Sequence, residues 1–290
     1  MTHEAAAPDK GFPVALVTGG GRGIGRATSL ALAKAGFDLV VLDRLDDDAS
    51  RACVEEIRSC GRQAHLLIGD IAKVEHHADL AEAVFSVFGT VDCLVNNAGV
   101  TADPRGIDLF DIPVESFDRV LDVNLRGTFF LTQQIAKRMA AASPSAASPS
   151  ADHHRSIITI TSAAVGRARI DSPEYAISKT ALSLVAQCFA LKLAEYGIAT
   201  YEIRPGVIRT DLNRDLWDQL DTIAQSAGFP MPRAGLPTEV AQAVAALASG
   251  AMPYATGDRI YIDGGGHIPR STIPPPARNE TQPSHRESAM

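Results

Sequence analysis

"PVALVTGGGRGIGRATSLALAKAG", residues 13–36, decides the fold. Its opening residues are apolar and rich in β-branched types, which reads as a short buried strand. Apolar residues Ile24, Ala27, Leu30, Ala31 and Ala35 then recur at helical spacing and stop at Gly36. Between strand and helix lie glycines at 19, 23 and 25, a G-x-x-x-G-x-G spacing rather than G-x-G-x-x-G. Glycines at such a turn let the backbone curl tightly and approach a ligand closely, at a helix N-terminus that attracts phosphate. Gly19, Gly23 and Gly25, with Arg22 and Ile24 between them, are therefore candidate phosphate-binding residues. A plain tight turn is the bland alternative, weakened because a strand precedes it and a helix follows.

The same alternation continues outward along the chain. Strands are expected in "FDLVVLDR", "QAHLLIGD", "VDCLVNNAG", "RSIITITS", "IATYEIRPG" and "RIYIDGG". Helices are expected over 48–60, about 74–88, 114–140, 174–196 and 238–249. Seven strands, each nearly all apolar and joined by helical crossovers, describe a parallel sheet covered on both faces. Crossover handedness leaves a doubly wound α/β sheet as the economical topology. One domain is expected over 12–270. The polar segment 1–11 and the Pro-rich tail 271–290 read as disordered, and 141–154, with its duplicated "AASPS", as a low-complexity surface insertion.

Composition narrows the function. The chain has 290 residues, 46% of them hydrophobic, enough for one large core. With 27 basic and 34 acidic residues the net charge is −7, which argues against a nucleic-acid partner. Cys53, Cys60, Cys93 and Cys188 show no metal-ligand spacing and read as small buried hydrophobes; His153 and His154 lack partners for a metal and read as solvated loop. No secretion signal is evident, and no apolar run approaches the roughly 20 residues that span a bilayer. A soluble cytoplasmic protein without a membrane partner is expected.

Polar residues then collect at strand ends. Asp43 ends the second strand, where a carboxylate accepts hydrogen bonds from ribose hydroxyls and repels a 2′-phosphate. NAD(H) is thereby favoured over NADP(H); Arg22 and Arg44 argue the other way, since either can pair with that phosphate. Asp70, followed by Ile71, ends the third strand, and Asn97, Ala98 and Gly99 follow the fourth. In an open α/β sheet, ligands bind outside these carboxyl ends.

The ordered set "TGGGRGIG", "NNAG", "VNLRG", "TS" at 161–162, "YAISK", "RPGVIRT" and "DGG" at 263–265 resembles the short-chain dehydrogenase/reductase family over about residues 12–270. Within it, the chain is most similar to the 3-oxoacyl-acyl-carrier-protein reductase branch. The resemblance implies a single Rossmann-type domain that uses NAD(P)(H) to interconvert a carbonyl and a secondary alcohol, assembled as a homotetramer or, failing that, a homodimer. It implies catalytic roles for Asn124, Ser162, Tyr175 and Lys179, with Asn124 holding a water that links Lys179 to solvent. Lys179 would also bind the nicotinamide ribose, and Ile208 and Thr210, after Pro205 and Gly206, would contact the nicotinamide amide.

The chemistry is sensible. Tyr175 and Lys179 are i and i+4, neighbours on one helical face. A phenol of pKa about 10 needs lowering by roughly three units, about 4 kcal/mol, to act near neutrality. An ammonium about 5 Å away at an effective dielectric of about 20 contributes roughly 3 kcal/mol. Ser162 is placed to polarise the substrate oxygen.

The substrate is less legible. Residues 211–233, amphipathic through Leu212, Leu216, Trp217, Leu220 and Ile223, fall where the family carries a lid, a segment equally suited to packing on its own core. His153 and Leu191 stand where the reductase branch implies basic residues for an acidic carrier protein, which weakens that partner. A dehydrogenase of a sugar, polyol or other small alcohol is the alternative. An inactive nucleotide-sensing protein is disfavoured because all four chemical residues are present, and an epimerase of the extended relatives because the glycine spacing differs.

Overall fold

All seven strands form: β1 (Val14–Thr18), β2 (Asp38–Asp43), β3 (Ala64–Ile68), β4 (Cys93–Asn96), β5 (Ser156–Ile160), β6 (Ala199–Pro205) and β7 (Arg259–Ile262). In this computed structural model, which describes residues 11–142 and 153–269, they join in one sheet of order β3-β2-β1-β4-β5-β6-β7, every pair parallel. The tail 271–290, nearly all of 1–11 and most of the 141–154 insertion lie outside the described residues.

The helices are α1 (Gly23–Lys34), α2 (Asp48–Ser59), α3 (His77–Phe88), α4 (Val114–Leu121), α5 (Thr128–Ala141), α6 (Pro173–Leu193), α7 (Leu220–Ser226) and α8 (Pro237–Ala248). They cover both faces of the sheet, which explains the almost unbroken apolar runs. Successive residues of a strand point to opposite faces. Ala15, Val17, Leu39 and Val41 pack with Leu32, Ile57, Val240 and Val244 of α1, α2 and α8 on one side. Val14, Leu16, Val40 and Leu42 pack with Val84, Leu131 and Ile135 of α3 and α5 on the other. This is the doubly wound, Rossmann-type α/β sheet. Strand order reverses between β1 and β4, and a crevice opens beyond their carboxyl ends.

Four expectations need correction. The single helix expected over 114–140 is α4 and α5 separated by a widened π-helical stretch, Asp122–Gly127. Tertiary contact accounts for the break: a Cβ at Gly127 would lie 2.3 Å from the Ile71 carbonyl oxygen, and Asn124 is tied to the loop after β4. The second concerns apolar length. Pro173–Tyr196 is long and apolar enough to cross a bilayer by length and composition, with mean hydropathy 1.3. It packs against β6 and α4 and buries Glu174 and Lys179. Third, only Cys53 and Cys93 are buried; Cys60, which ends α2, and Cys188, on the outer side of α6, are exposed. His154 is likewise half-buried rather than solvated, its Nε2 3.4 Å from the Tyr201 hydroxyl.

Candidate active site

The glycine turn is built by close contact. Gly19 and Gly23 have φ of 61° and 53°, the left-handed region that other residues avoid. A Cβ at Gly25 would fall 1.9 Å from the Gly19 carbonyl oxygen, so the turn and the first turn of α1 touch backbone to backbone. Arg22, the N-cap of α1, is extended and places no side-chain cap on the helix. The first N–H groups of α1 are thus left for an anionic group. Arg22 itself pairs with Asp47, while its buried Nε has no partner.

Strand ends supply the rest of this half. Asp43 accepts from Gly21 N–H (3.0 Å) and Arg44 N–H (2.8 Å), so it braces the turn as well as lining the crevice. Arg44 is exposed and has no ion-pair partner among the described residues. Asp70 caps its own loop through Ala72 N–H (3.0 Å), and the Ile71 carbonyl is held by His77 Nε2 at 2.8 Å. Asn97 spends its amide on the carbonyls of Thr18 (2.9 Å) and Gly19 (3.1 Å), while Thr18 Oγ1 accepts from the Asn97 and Ala98 N–H groups. These bonds lock the end of β4 to the glycine turn.

The chemical half lies beyond β5 and β6. Ser162 sits two residues past β5, accepts from Ala164 N–H at 3.1 Å, and shares the crevice wall with the Tyr175 phenol. Tyr175 and Lys179 share one face of α6, with Lys179 Nζ 5.9 Å from the centre of the Tyr175 ring. The ammonium turns to the Ile160 carbonyl at 3.1 Å. Pro205 ends β6, and Gly206 after it packs against Asp263, where a Cβ would come within 2.8 Å. Ile208 and Thr210 follow, fixed by the Gly235 bridge and by Asn213.

One crevice of about 1350 Å³ gathers these groups. Every expected cofactor residue lines it, from Gly19, Arg22, Gly23, Ile24 and Gly25 through Asp43, Arg44, Asp70, Ile71, Asn97, Ala98 and Gly99 to Pro205, Gly206, Ile208 and Thr210, together with Ser162, Tyr175 and Lys179. The cradle fits a dinucleotide: glycine backbone at an uncapped helix end, a carboxylate at β2, and a hydroxyl–phenol–ammonium group at the far end.

Asn124 lies behind the wall, fully buried. Its amide donates to the Val100 carbonyl (2.9 Å) and to Ser178 Oγ (3.1 Å), and its Oδ1 accepts from Val100 N–H (2.7 Å). Both ends of the side chain are engaged, as burial of an amide requires. Burial pushes the Tyr175 phenol above its ordinary range, opposed by the Ser162 hydroxyl and by the charges of Arg169 and Arg105. Lys179 is itself buried, and that burial pulls it down to about 8.

Sequence reasoning passed over several residues that shape the site. Glu202 and Arg204 form a buried ion pair on β6, Nε to Oε1 at 2.7 Å. Glu202 also accepts from Thr161 Oγ1 (2.6 Å) and Ser183 Oγ (2.8 Å), binding the residue before Ser162 to the helical turn after Lys179. Two charges two residues apart in an otherwise apolar strand were the available signal. Arg105 and Arg169 were also missed, because the loops bearing them have no periodicity to read. Leu212, Leu216, Leu220 and Ile223, in a 3-10 helix (Asp211–Gln219) and α7, line the crevice as a lid would.

Comparison with known proteins agrees with this arrangement. Residues 19–267 match the family described as enoyl-(acyl carrier protein) reductase. The chain is 33% identical to a 3-oxoacyl-[acyl-carrier-protein] reductase of Staphylococcus epidermidis, over 87% of this chain and 97% of the relative. It is 31% identical to an L-rhamnose 1-dehydrogenase (NAD(P)(+)) of a Sphingomonas species, over 87% and 95%. The crystal structure of a 3-oxoacyl-[acyl-carrier protein] reductase from Brucella melitensis in complex with NAD superposes with a TM-score of 0.84 at 41% identity, covering 91% of this chain and all of that one. The chain belongs to the short-chain dehydrogenase/reductase family of oxidoreductases, near its 3-oxoacyl-acyl-carrier-protein reductase branch.

Proposed function

We propose that this oxidoreductase interconverts a carbonyl and a secondary alcohol, with Tyr175 as general acid and base. The observation that carries the reading is the gathering of Ser162, Tyr175 and Lys179 on the wall of the same crevice that holds the glycine turn. The α1 N-terminus and Asp43 would hold a dinucleotide, whose nicotinamide supplies the hydride acceptor or donor. Because burial keeps the phenol protonated at neutral pH, Tyr175 is in its acid form, ready to protonate a carbonyl oxygen as negative charge develops there. Ser162 donates to the same oxygen and steadies that charge. In the direction of oxidation, Ser162, Arg169 and Arg105 favour the phenolate that accepts the alcohol proton.

NAD(H) is the favoured cofactor. Asp43 faces the crevice, and Arg22, one of the two residues that could bind a 2′-phosphate, is already paired with Asp47. A carrier-protein substrate has less support: Leu191 is 85% exposed in a place where the reductase branch implies a basic residue, and Lys192 beside it pairs with Glu195. The likeness to a rhamnose dehydrogenase supports a sugar or other small alcohol as the second reading. Self-association as a homotetramer is supported by the exposed stripe Ile177, Leu184 and Leu191, spaced seven apart on α6.

The test is oxidation of NADH or NADPH by purified protein, followed by loss of reduced-nicotinamide absorbance, against aldehydes, ketones, sugars and acyl thioesters. Tyr175→Phe is expected to bind cofactor with unchanged affinity and to lose turnover by at least about a hundredfold. Near-normal turnover in that variant would remove Tyr175 from the mechanism.

A further inference from the structure

The substrate end of the crevice carries two guanidiniums that the proton transfer does not require. Arg105 stands on the loop after β4 and Arg169 on the loop between β5 and α6, and both line the wall with Tyr175. Arg105 donates to the Leu212 carbonyl across the crevice, a neutral partner. Its ion-pair partner, Asp215, is 3.8 Å away and largely exposed, a contact weakened by solvent. Arg169 holds Asp171 through Nε (3.1 Å) and Nη2 (2.7 Å), which leaves its Nη1 free.

We propose that Arg105 and Arg169 form an oxyanion subsite, so that the substrate carries a carboxylate beside the carbonyl or alcohol that reacts. The proposal rests on the carbonyl–alcohol reading above and narrows it to keto and hydroxy acids. A guanidinium presents a planar fork of donors that matches a carboxylate, and two of them from separate loops line the crevice that holds Tyr175. Leu212, Leu216, Leu220 and Ile223 on the lid offer an apolar surface for the body of the molecule. Asp171 and Asp215 line the same wall and are the carboxylates that these two arginines already face, the first at hydrogen-bond distance and the second at 3.8 Å. Asp171 holds Arg169 in position and at the same time competes with a substrate carboxylate for its donors.

The test uses full-length protein with NADH and matched pairs of acid and neutral isostere: pyruvate with pyruvamide, acetoacetate with acetoacetamide, levulinate with levulinamide. The readout is the ratio of kcat/KM for acid over amide, which cancels any common effect of a substitution on folding or on the phenol. At least one pair is expected to favour the acid by about 10- to 100-fold, the range of a charge-assisted hydrogen bond. Arg169→Ala and Arg105→Ala should each cut that ratio about tenfold, with the lysine substitutions giving intermediate values. Asp171→Asn, which removes the opposing charge and one of the two acceptor oxygens that hold Arg169, should raise the ratio, an outcome that a merely structural role for the pair would not produce. A ratio near one in all pairs, or a preference unchanged in both alanine variants, would overturn the subsite while leaving the carbonyl–alcohol reading intact. Absence of turnover with acids and amides alike, with NADH still bound, would overturn both.

Discussion

Lys179→Met is expected to make the folded protein more stable while removing its activity. Lys179 is 4% exposed, and burial holds its ammonium down to about 8 against an ordinary 10.5. Below about 8 both folded and unfolded chains carry the charge, and folding bears the full cost of burying it. Between about 8 and 10.5 only the unfolded chain is charged, so the cost fades as pH rises, and above that range it is gone. The interval corresponds to roughly 3 kcal/mol. Methionine leaves the Ile160 carbonyl without its 3.1 Å donor, a loss of about 1 kcal/mol. The net gain near neutral pH is therefore roughly 2 kcal/mol, shrinking to nothing by about pH 10. Urea unfolding without cofactor, at one fixed protein concentration so that self-association does not intrude, measures the difference at both pH values. A variant less stable than wild type at neutral pH, or a difference that ignores pH, would refute the reasoning. Stability surrendered at a buried charge is the expected mark of a residue retained for chemistry.

Other perturbations test separate parts of the site. Glu202→Ala strands the buried Arg204 and should cost about 3–5 kcal/mol in urea unfolding, whereas Glu202→Leu with Arg204→Met should cost far less; a single-variant loss under about 1 kcal/mol would show the pair to be incidental. Gly25→Ala drives a methyl group into the Gly19 carbonyl, so NAD affinity by calorimetry should fall at least about tenfold, with the far-ultraviolet dichroism of the sheet kept. Asp43→Ala should narrow the gap between NAD and NADP affinities by about tenfold, and tighter binding of NADP than NAD to the wild type would reverse the cofactor assignment.

Much of the architecture was legible because its signals are local. A strand covered on both faces must be largely apolar, with any polar residue paired, and β1, β2, β4, β5 and β6 are buried at every position. Gly19, Gly23 and Gly25 were readable for the same kind of reason, since only a residue without a side chain tolerates those angles and contacts. The lining of the crevice followed once strand ends were located, because a parallel sheet brings its carboxyl ends to one edge.

What the chain order could not convey was the balance of forces at each group. Adjacency of Tyr175 and Lys179 is a property of helical spacing, but whether the ammonium faces the phenol or the Ile160 carbonyl depends on how α6 sits against β5. Asn124 could be placed on a buried stripe, yet its partners, Val100 and Ser178, come from a distant loop and a distant helix. The break between α4 and α5 arises from Ile71, about fifty residues away. Arg105 and Arg169 meet Tyr175 only because two aperiodic loops fold over the same crevice. Strand and helix placement and the glycine turn follow from each residue's own covalent shape and polarity, so sequence alone determined them. Charge, desolvation and hydrogen-bond partners depend on neighbours through space, and those the tertiary structure decided.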